Sequence, residues 1–415
     1  MPYLYESFRI GTVMCYNRFI TERNRGISMD NEETLRQLEF IHLRKKASLP
    51  KRLRPFYGKV SLKNRGVLVF GARGVGKTTF LLSAFDEKKV LYLSADNPLI
   101  ALTGLWEIGN TAFLAGYEGI IIDEVHYAKD WSMALKSLYD AFPDKCVYAS
   151  DSSNLILRSG IADLSRRFSS VQIPLLSFRE YLFLKKGIEL PVFDPFQSNL
   201  GIAREIMNTV NVLAIFRDYI KGGFRPSYLE WDYCEQVMNI LEKTLHFDIP
   251  FFVTQISDIH FRLMNAIVGF LATSTVPTIN IERFCRDWAV GKRKLYELLS
   301  VMSTTGLIRI VFKKGDYKTF SKGEKILFAD PSFYSVFGEN TGTVRKAYVV
   351  QAFEEAKRPC FCCEDERKGD FYVEGKRIEI GRKNKKAKDS DFVIRDDTEY
   401  PTTNAIPLWM LGFMY

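Results

Sequence analysis

Gly71-Ala72-Arg73-Gly74-Val75-Gly76-Lys77-Thr78-Thr79 decides how the rest of the chain reads. It satisfies the spacing G-x-x-x-x-G-K-[ST] at every fixed position. The apolar run Val67-Leu68-Val69-Phe70 before it has the character of a buried strand, and Thr79 to Phe85 after it reads as the first turns of a helix. A chain that leaves a strand, wraps an anion in bare backbone and enters a helix aims its amides at phosphate. Glycine supplies the positive φ and the clearance such a loop needs. The spacing predicts that residues 71–79 cradle a nucleotide's phosphates, with Lys77 reaching the β- and γ-phosphates and the Thr78 hydroxyl holding Mg²⁺. The bland alternative is a chance glycine turn, and both flanks argue against it.

The second informative run is Gly119-Ile120-Ile121-Ile122-Asp123-Glu124. Three consecutive isoleucines fit a strand buried on both faces of a parallel sheet. Acids at its C-terminal end face the crevice where such sheets bind ligands. Asp123 is expected to hold Mg²⁺ through water, and Glu124 to orient and deprotonate the attacking water. A kinase or a simple GTP switch does not require the second acid, so the pair points to ATP hydrolysis. The next strand, Cys146-Val147-Tyr148-Ala149, delivers Ser150-Asp151-Ser152-Ser153 to the same edge. Ser150 is the first choice for sensing the γ-phosphate, with Ser152 and Ser153 next. An N-cap for the helix-like residues 154–157 is an equal alternative. Arg166 and Arg167 offer guanidinium groups to neutralise transition-state charge, from the same chain or a neighbour; surface salt bridges are the competing reading. His126 reads as a packed residue at the strand exit slightly ahead of an orienting one.

The chain's 415 residues suggest two to four domains at about 150 residues each. With 47% apolar and 26% charged residues, cores are affordable throughout. A net charge of +9 is a mild excess, compatible with nucleic acid and equally with a merely basic surface. Cys15, Cys146, Cys234 and Cys285 stand singly among apolar neighbours and are expected in cores. The cluster Cys360, Cys362 and Cys363 lacks nearby histidine and has poor zinc spacing. No leader pattern opens the chain and no run of 18 apolar residues exists, which predicts a cytoplasmic protein with reduced thiols and no membrane contact. Asn31 to Ile41 reads as a helix with Leu35, Leu38 and Ile41 on one face. Lys51-Arg52-Leu53-Arg54 reads as a solvated basic patch, or a contact for a polyanion.

These runs, with Leu164-Ser165-Arg166-Arg167, Leu176-Ser177-Phe178-Arg179-Glu180-Tyr181-Leu182 and the closing Ile406-Pro407-Leu408-Trp409, resemble the archaeal and bacterial AAA-type ATPases that carry a restriction-endonuclease-like C-terminal domain. The likeness extends from about residue 64 to the end. Phe216 to Pro226 is similar to the family's Y-x-x-x-G-G-[FY]-P segment, except that Arg225 stands between aromatic and proline. The resemblance implies an α/β fold: an AAA-type P-loop NTPase parallel sheet, then a winged-helix module, then an α/β restriction-endonuclease-like domain. The expected divisions are a helical extension over 1–63, the ATPase core over 64–190, a helical lid or linker over 191–250, the winged helix over 251–330 and the nuclease-like domain over 331–415.

Pattern alone also supports the winged helix. Leu295, Leu298, Leu299 and Met302 form a core stripe, with Lys292, Arg293 and Lys294 at the helix start where a recognition helix meets DNA. Packing under the ATPase as a lid is the competing role. In the last region, Asp370 and Glu379 match two acids of a metal-dependent nuclease. Lys346 stands where the family has glutamate and Gly381 where it has lysine, so an active nuclease is not expected. Arg382 to Lys388 is a basic run that could follow a phosphate backbone of DNA or RNA, or stay solvated. The favoured function is a Mg²⁺- and ATP-dependent conformational switch, with a homo-oligomer implied if the arginine acts across a boundary. The alternative is a nucleotide-regulated nucleic-acid-binding protein, or a scaffold with little turnover.

Overall fold

The computed structural model describes residues 31–85, 89–152, 164–197, 200–229, 233–253, 256–275, 277–315, 322–338, 341–365, 367–387 and 389–415. Cys15, Ser153, the cap reading at 154–157, Asp316 and Lys388 lie outside the described residues. Strands β1 (Gly66–Phe70), β2 (Val90–Ser94), β3 (Gly119–Asp123), β4 (Cys146–Asp151) and β5 (Ser169–Gln172) form a sheet in the order β2-β3-β4-β1-β5. All four pairings are parallel, so all five C-terminal ends share one edge. With the phosphate loop leaving β1, this is the P-loop NTPase fold.

Each central strand is covered on both faces, as the isoleucine run requires. Ile120 and Ile122 pack with Leu35, Leu38, Ile108, Leu135 and Leu138 from helices 31–47, 105–114 and 131–141. Ile121 points the other way, toward Tyr92, Tyr148 and Phe80. The face expected on the first helix is present: Leu35 and Leu38 are buried and Ile41 half-buried. Between β2 and β3 the chain forms two helices, Pro98–Thr103 and Leu105–Leu114. Gly104 at φ 98° breaks them apart in a conformation that side chains with a Cβ avoid.

Beyond the sheet the described residues up to 304 carry helices, among them 258–273, 281–287 and 292–304, followed by an antiparallel pair, β6 (Ile308–Val311) and β7 (Lys325–Phe328). Leu295, Leu298, Leu299 and Met302 are buried, as their spacing predicts, while Lys292 and Arg293 are exposed. Helix 341–355 then leads into a second five-stranded sheet: β8 (Cys360–Cys362), β9 (Phe371–Val373), β10 (Lys376–Gly381), β11 (Phe392–Arg395) and β12 (Ala405–Pro407), in that spatial order. Its first two pairings are antiparallel and its last two parallel.

Two expectations are corrected. Arg54 is not part of a solvated patch. Its guanidinium is buried, 2.7 Å from Glu180 Oε2, and donates to the carbonyls of Val75 and Pro174, each at 2.9 Å. Glu180 closes the capping box of helix 178–186 with Ser177, so this buried pair ties the basic segment to the phosphate loop. Cys234 is exposed rather than in a core. The three clustered cysteines are buried free thiols. Among the described residues, no helix is long and apolar enough to cross a membrane. The segments 176–182 and 406–413 pack on each other, with Phe178 and Phe413 edge to face at 5.9 Å.

Candidate nucleotide site

Two glycines where a Cβ would be crowded shape the loop after β1. Gly76 has φ 93°, and a Cβ there would lie 2.2 Å from the Tyr57 hydroxyl, which donates to the Gly76 carbonyl at 2.8 Å. A Cβ on Gly71 would meet the Ile173 carbonyl at 2.4 Å. Lys77 Nζ donates to the carbonyls of Gly71 and Ala72 at 2.9 and 3.3 Å, which folds the ammonium over the loop it belongs to.

Across the crevice, Asp123 ends β3 beside the first helical turn after the loop. Thr78 Oγ1 donates to Asp123 Oδ2 at 2.5 Å, and the Tyr92 hydroxyl donates to the same oxygen at 3.1 Å. The Ser150 hydroxyl donates to Oδ1 in a short hydrogen bond, and the Glu124 amide lies 3.2 Å from it. Three hydroxyls around one buried carboxylate can turn their lone pairs outward. This donor set fits a hard, oxygen-ligated cation such as Mg²⁺. Burial, then the Asp123 charge, raises the Tyr92 phenol far above its usual value, so it remains a donor.

Glu124 has φ 47° and ψ 50°, a left-handed conformation seldom adopted by a residue with a side chain. Such strain persists where the surroundings hold it in place, and it clusters at working sites. Oε1 lies 3.7 Å from Arg73 Nη1, and Oε2 accepts from Ser152 Oγ at 3.2 Å. Burial raises the Glu124 carboxyl above its usual value, against the opposing charges of Lys77 and Arg73. A carboxylate shifted upward is a stronger base. His126 pairs through Nδ1 with Asp151 Oδ2 at 2.6 Å and stands 3.7 Å from Glu124 Oε2. Burial alone would lower its pKa, but the Asp151 hydrogen bond and the two acids raise it. The imidazole is buried at the strand exit, as the sequence favoured, and is also tied to Asp151 beside Glu124. Ligating atoms of Glu124, His126 and Asp151 lie within 4.8 Å of one another.

Lys77, Thr78, Asp123, Glu124 and Ser150 thus converge, with Ser152 beside them. Arg166 and Arg167 do not join them. Arg166 is exposed, and Arg167 Nε pairs with Asp140 at 2.7 Å. The Arg167 carbonyl sits against Gly66, at the start of β1, the end of the sheet opposite the loop. Sequence reasoning missed three contributors. Arg73 entered only as a loop position, yet its side chain reaches Glu124. Asp248 holds Arg73 Nε and Nη2 at 2.8 and 2.6 Å. Arg225, visible as an extra residue in its segment, donates to the Arg73 carbonyl at 2.8 Å and pairs with Asp330.

Asp370 and Glu379, the two acids singled out in the last region, have a different environment. Asp370 is 2.6 Å from Lys346 Nζ and 3.6 Å from Lys325 Nζ, and Glu379 is 2.7 Å from Lys385 Nζ. Burial alone would raise Asp370, but the two lysines hold it below the usual carboxylate range. Lys385 belongs to the basic run 382–388 and folds back over Gly381, where a Cβ would meet its Cγ at 2.5 Å.

Comparison with known proteins agrees with this geometry in the core. Residues 63–182 match a family described as an AAA domain, which supports an AAA-type P-loop ATPase and nucleotide binding. An uncharacterized protein of Methanocaldococcus jannaschii is 26% identical over 309 residues, 68% of this chain and 64% of the relative. The match therefore spans less than two thirds of that relative's length. Among solved structures, the Walker-type ATPase PABY2304 of Pyrococcus abyssi aligns over 75% of this chain and 96% of its own, at 15% identity and a TM-score of 0.39. The S. cerevisiae Hsp104–ADP complex aligns over 67% of this chain and 44% of its own, at 13% identity and a TM-score of 0.25.

Proposed function

We propose that the chain is a Mg²⁺-dependent ATPase working as a conformational switch. The observation that carries this reading is the contact of Thr78 Oγ1 with Asp123 Oδ2 at 2.5 Å, with Glu124 beside it at the open edge of the sheet. Lys77 and the amides of 71–79 bind the triphosphate, and Thr78 and Asp123 hold Mg²⁺, which neutralises phosphate charge when bound. Glu124 takes the proton of the attacking water, and Ser150 reports whether the terminal phosphate is present. Arg167, or Arg166, supplies charge to the site of a neighbouring copy, because its place at the far end of the sheet suits a contact between chains.

In this reading residues 251–330 are a winged helix and 331–415 a restriction-endonuclease-like domain whose metal site is filled by its own lysines. Hydrolysis shifts these parts against the sheet. The exposed Lys292 and Arg293 favour nucleic acid as the regulated partner, giving a sequence-blind, salt-sensitive affinity. The test is calorimetry with ATP and millimolar magnesium, followed by phosphate release with and without nucleic acid. Binding with release supports the switch. Binding without release favours the nucleotide-regulated scaffold, and no binding removes both.

A further inference from the structure

We propose that Arg73 reads the γ-phosphate alongside Ser150, and that Asp248 is the counter-ion it surrenders when a triphosphate binds. This rests on the nucleotide reading above, and adds a second sensing residue and the segment to which it reports. Arg73 lies inside the phosphate loop, between Ala72 and Gly74. Its guanidinium forms a two-pronged pair with Asp248, Nε to Oδ2 at 2.8 Å and Nη2 to Oδ1 at 2.6 Å. The third nitrogen, Nη1, stands 3.7 Å from Glu124 Oε1. One cation is thus shared between the acid poised to activate water and an acid 175 residues along the chain.

The surroundings allow an exchange of partners without moving the loop. Arg225 fixes the Arg73 backbone through its carbonyl, and Arg225 is held in turn by Asp330. Only the side chain of Arg73 needs to turn. Burial would lower its pKa, but the Asp248 hydrogen bond and the Glu124 charge outweigh that, so it is charged throughout. Tyr127 also faces it. A terminal phosphate offers the guanidinium fork more charge and more acceptor oxygens than one carboxylate does. ADP offers no such group at that position.

Asp248 is placed to transmit the loss. Residues Thr244–Asp248 form a π-helical turn between helices 233–243 and 249–252. Pro250 has no N–H to donate to the preceding turn, and a wider turn accommodates that. Such turns concentrate at functional positions. The Asp248 side chain is only 6% exposed. Deprived of its partner it is an uncompensated buried charge, which the segment relieves by shifting. That segment leads directly into helix 258–273 and the module beyond.

The test compares ATPγS and ADP binding by calorimetry in the full chain, with hydrogen exchange of residues 244–253 in each complex. Arg73→Ala is expected to weaken ATPγS relative to ADP about tenfold or more, the scale of a lost charge-assisted contact. Asp248→Asn is expected to tighten ATPγS. In the wild type, ATPγS but not ADP should speed exchange over 244–253. An unchanged ATPγS to ADP ratio in Arg73→Ala, or equal exchange in the two complexes, overturns the inference and leaves the nucleotide reading standing. A wild type that binds neither nucleotide overturns both.

Discussion

The two sheets of this protein each present acids that a metal could use, and the chain treats them oppositely. At the edge of the parallel sheet, Asp123 is surrounded by the hydroxyls of Thr78, Tyr92 and Ser150. At the mixed sheet, Asp370 lies against the ammonium groups of Lys346 and Lys325, and Glu379 against that of Lys385. Hydroxyls are neutral and rotate, so they leave the negative charge available to an incoming cation. Ammonium groups carry the compensating charge already, and a divalent ion would have to displace them. The same residue type is therefore left open to a cation in one sheet and is half of an internal ion pair in the other.

The comparison breaks most decisively at Glu124. Replacing it with glutamine removes the proposed base and leaves the loop intact, so phosphate release should fall by about 10²–10⁴-fold while calorimetric ATP binding persists. Equal release from variant and wild type would assign the chemistry elsewhere. Glu180→Gln probes the frame rather than the chemistry. Removing one partner of a buried pair costs about 3–5 kcal/mol, because Arg54 would then be buried without compensation. Burial alone would raise Glu180, but the Arg54 charge and hydrogen bond and the amides of Ser177 and Phe56 hold it below its usual value. A depressed carboxyl contributes stability above the ordinary value of about 4.3, which is lost as pH falls through the folded value. Thermal melting should separate variant from wild type at pH 7, and the gap should narrow below about pH 4.3.

A matched pair of variants sharpens the contrast between the sheets. Asp123→Asn should raise the magnesium concentration needed for half-maximal phosphate release by about tenfold or more, the effect of losing a charged ligand. Asp370→Asn should leave that requirement where it is. A shift with Asp370→Asn would mean that the mixed sheet holds a working ion.

The core was legible because its chemistry is local. A phosphate loop needs its glycines and lysine at fixed spacing, and Ile120 to Ile122 followed by Asp123 announces a buried parallel strand by composition alone. At the mixed sheet Asp370 and Glu379 stood out as acids, but nothing in the sequence reveals that Lys346 pairs with Asp370 or that Lys385 folds back on Glu379. Arg54 was misread because a basic residue among basic neighbours looks solvated, and nothing nearby in sequence reveals Glu180, 126 positions away. Asp248 left no signal except the proline two residues on. Long-range pairs of single charges carry no periodicity, so side chains that tie modules together escape a reading that sees only neighbours.

The smallest expected effect lies at the mixed sheet, where the contrast can be reversed. Lys346→Glu with Lys385→Met takes one ammonium group from Asp370 and one from Glu379, and adds a carboxylate beside Asp370. Carboxylates without those counter-ions suit a hard cation, but Lys325 stays 3.6 Å from Asp370 and continues to oppose it. The double variant should therefore gain one weak Mn²⁺ site, with a dissociation constant on the order of a millimolar, about −4 kcal/mol. Electron paramagnetic titration of free Mn²⁺ in the absence of nucleotide reads this directly. No gain in bound Mn²⁺ would mean that the placement of these acids, and not their lysines, excludes the ion.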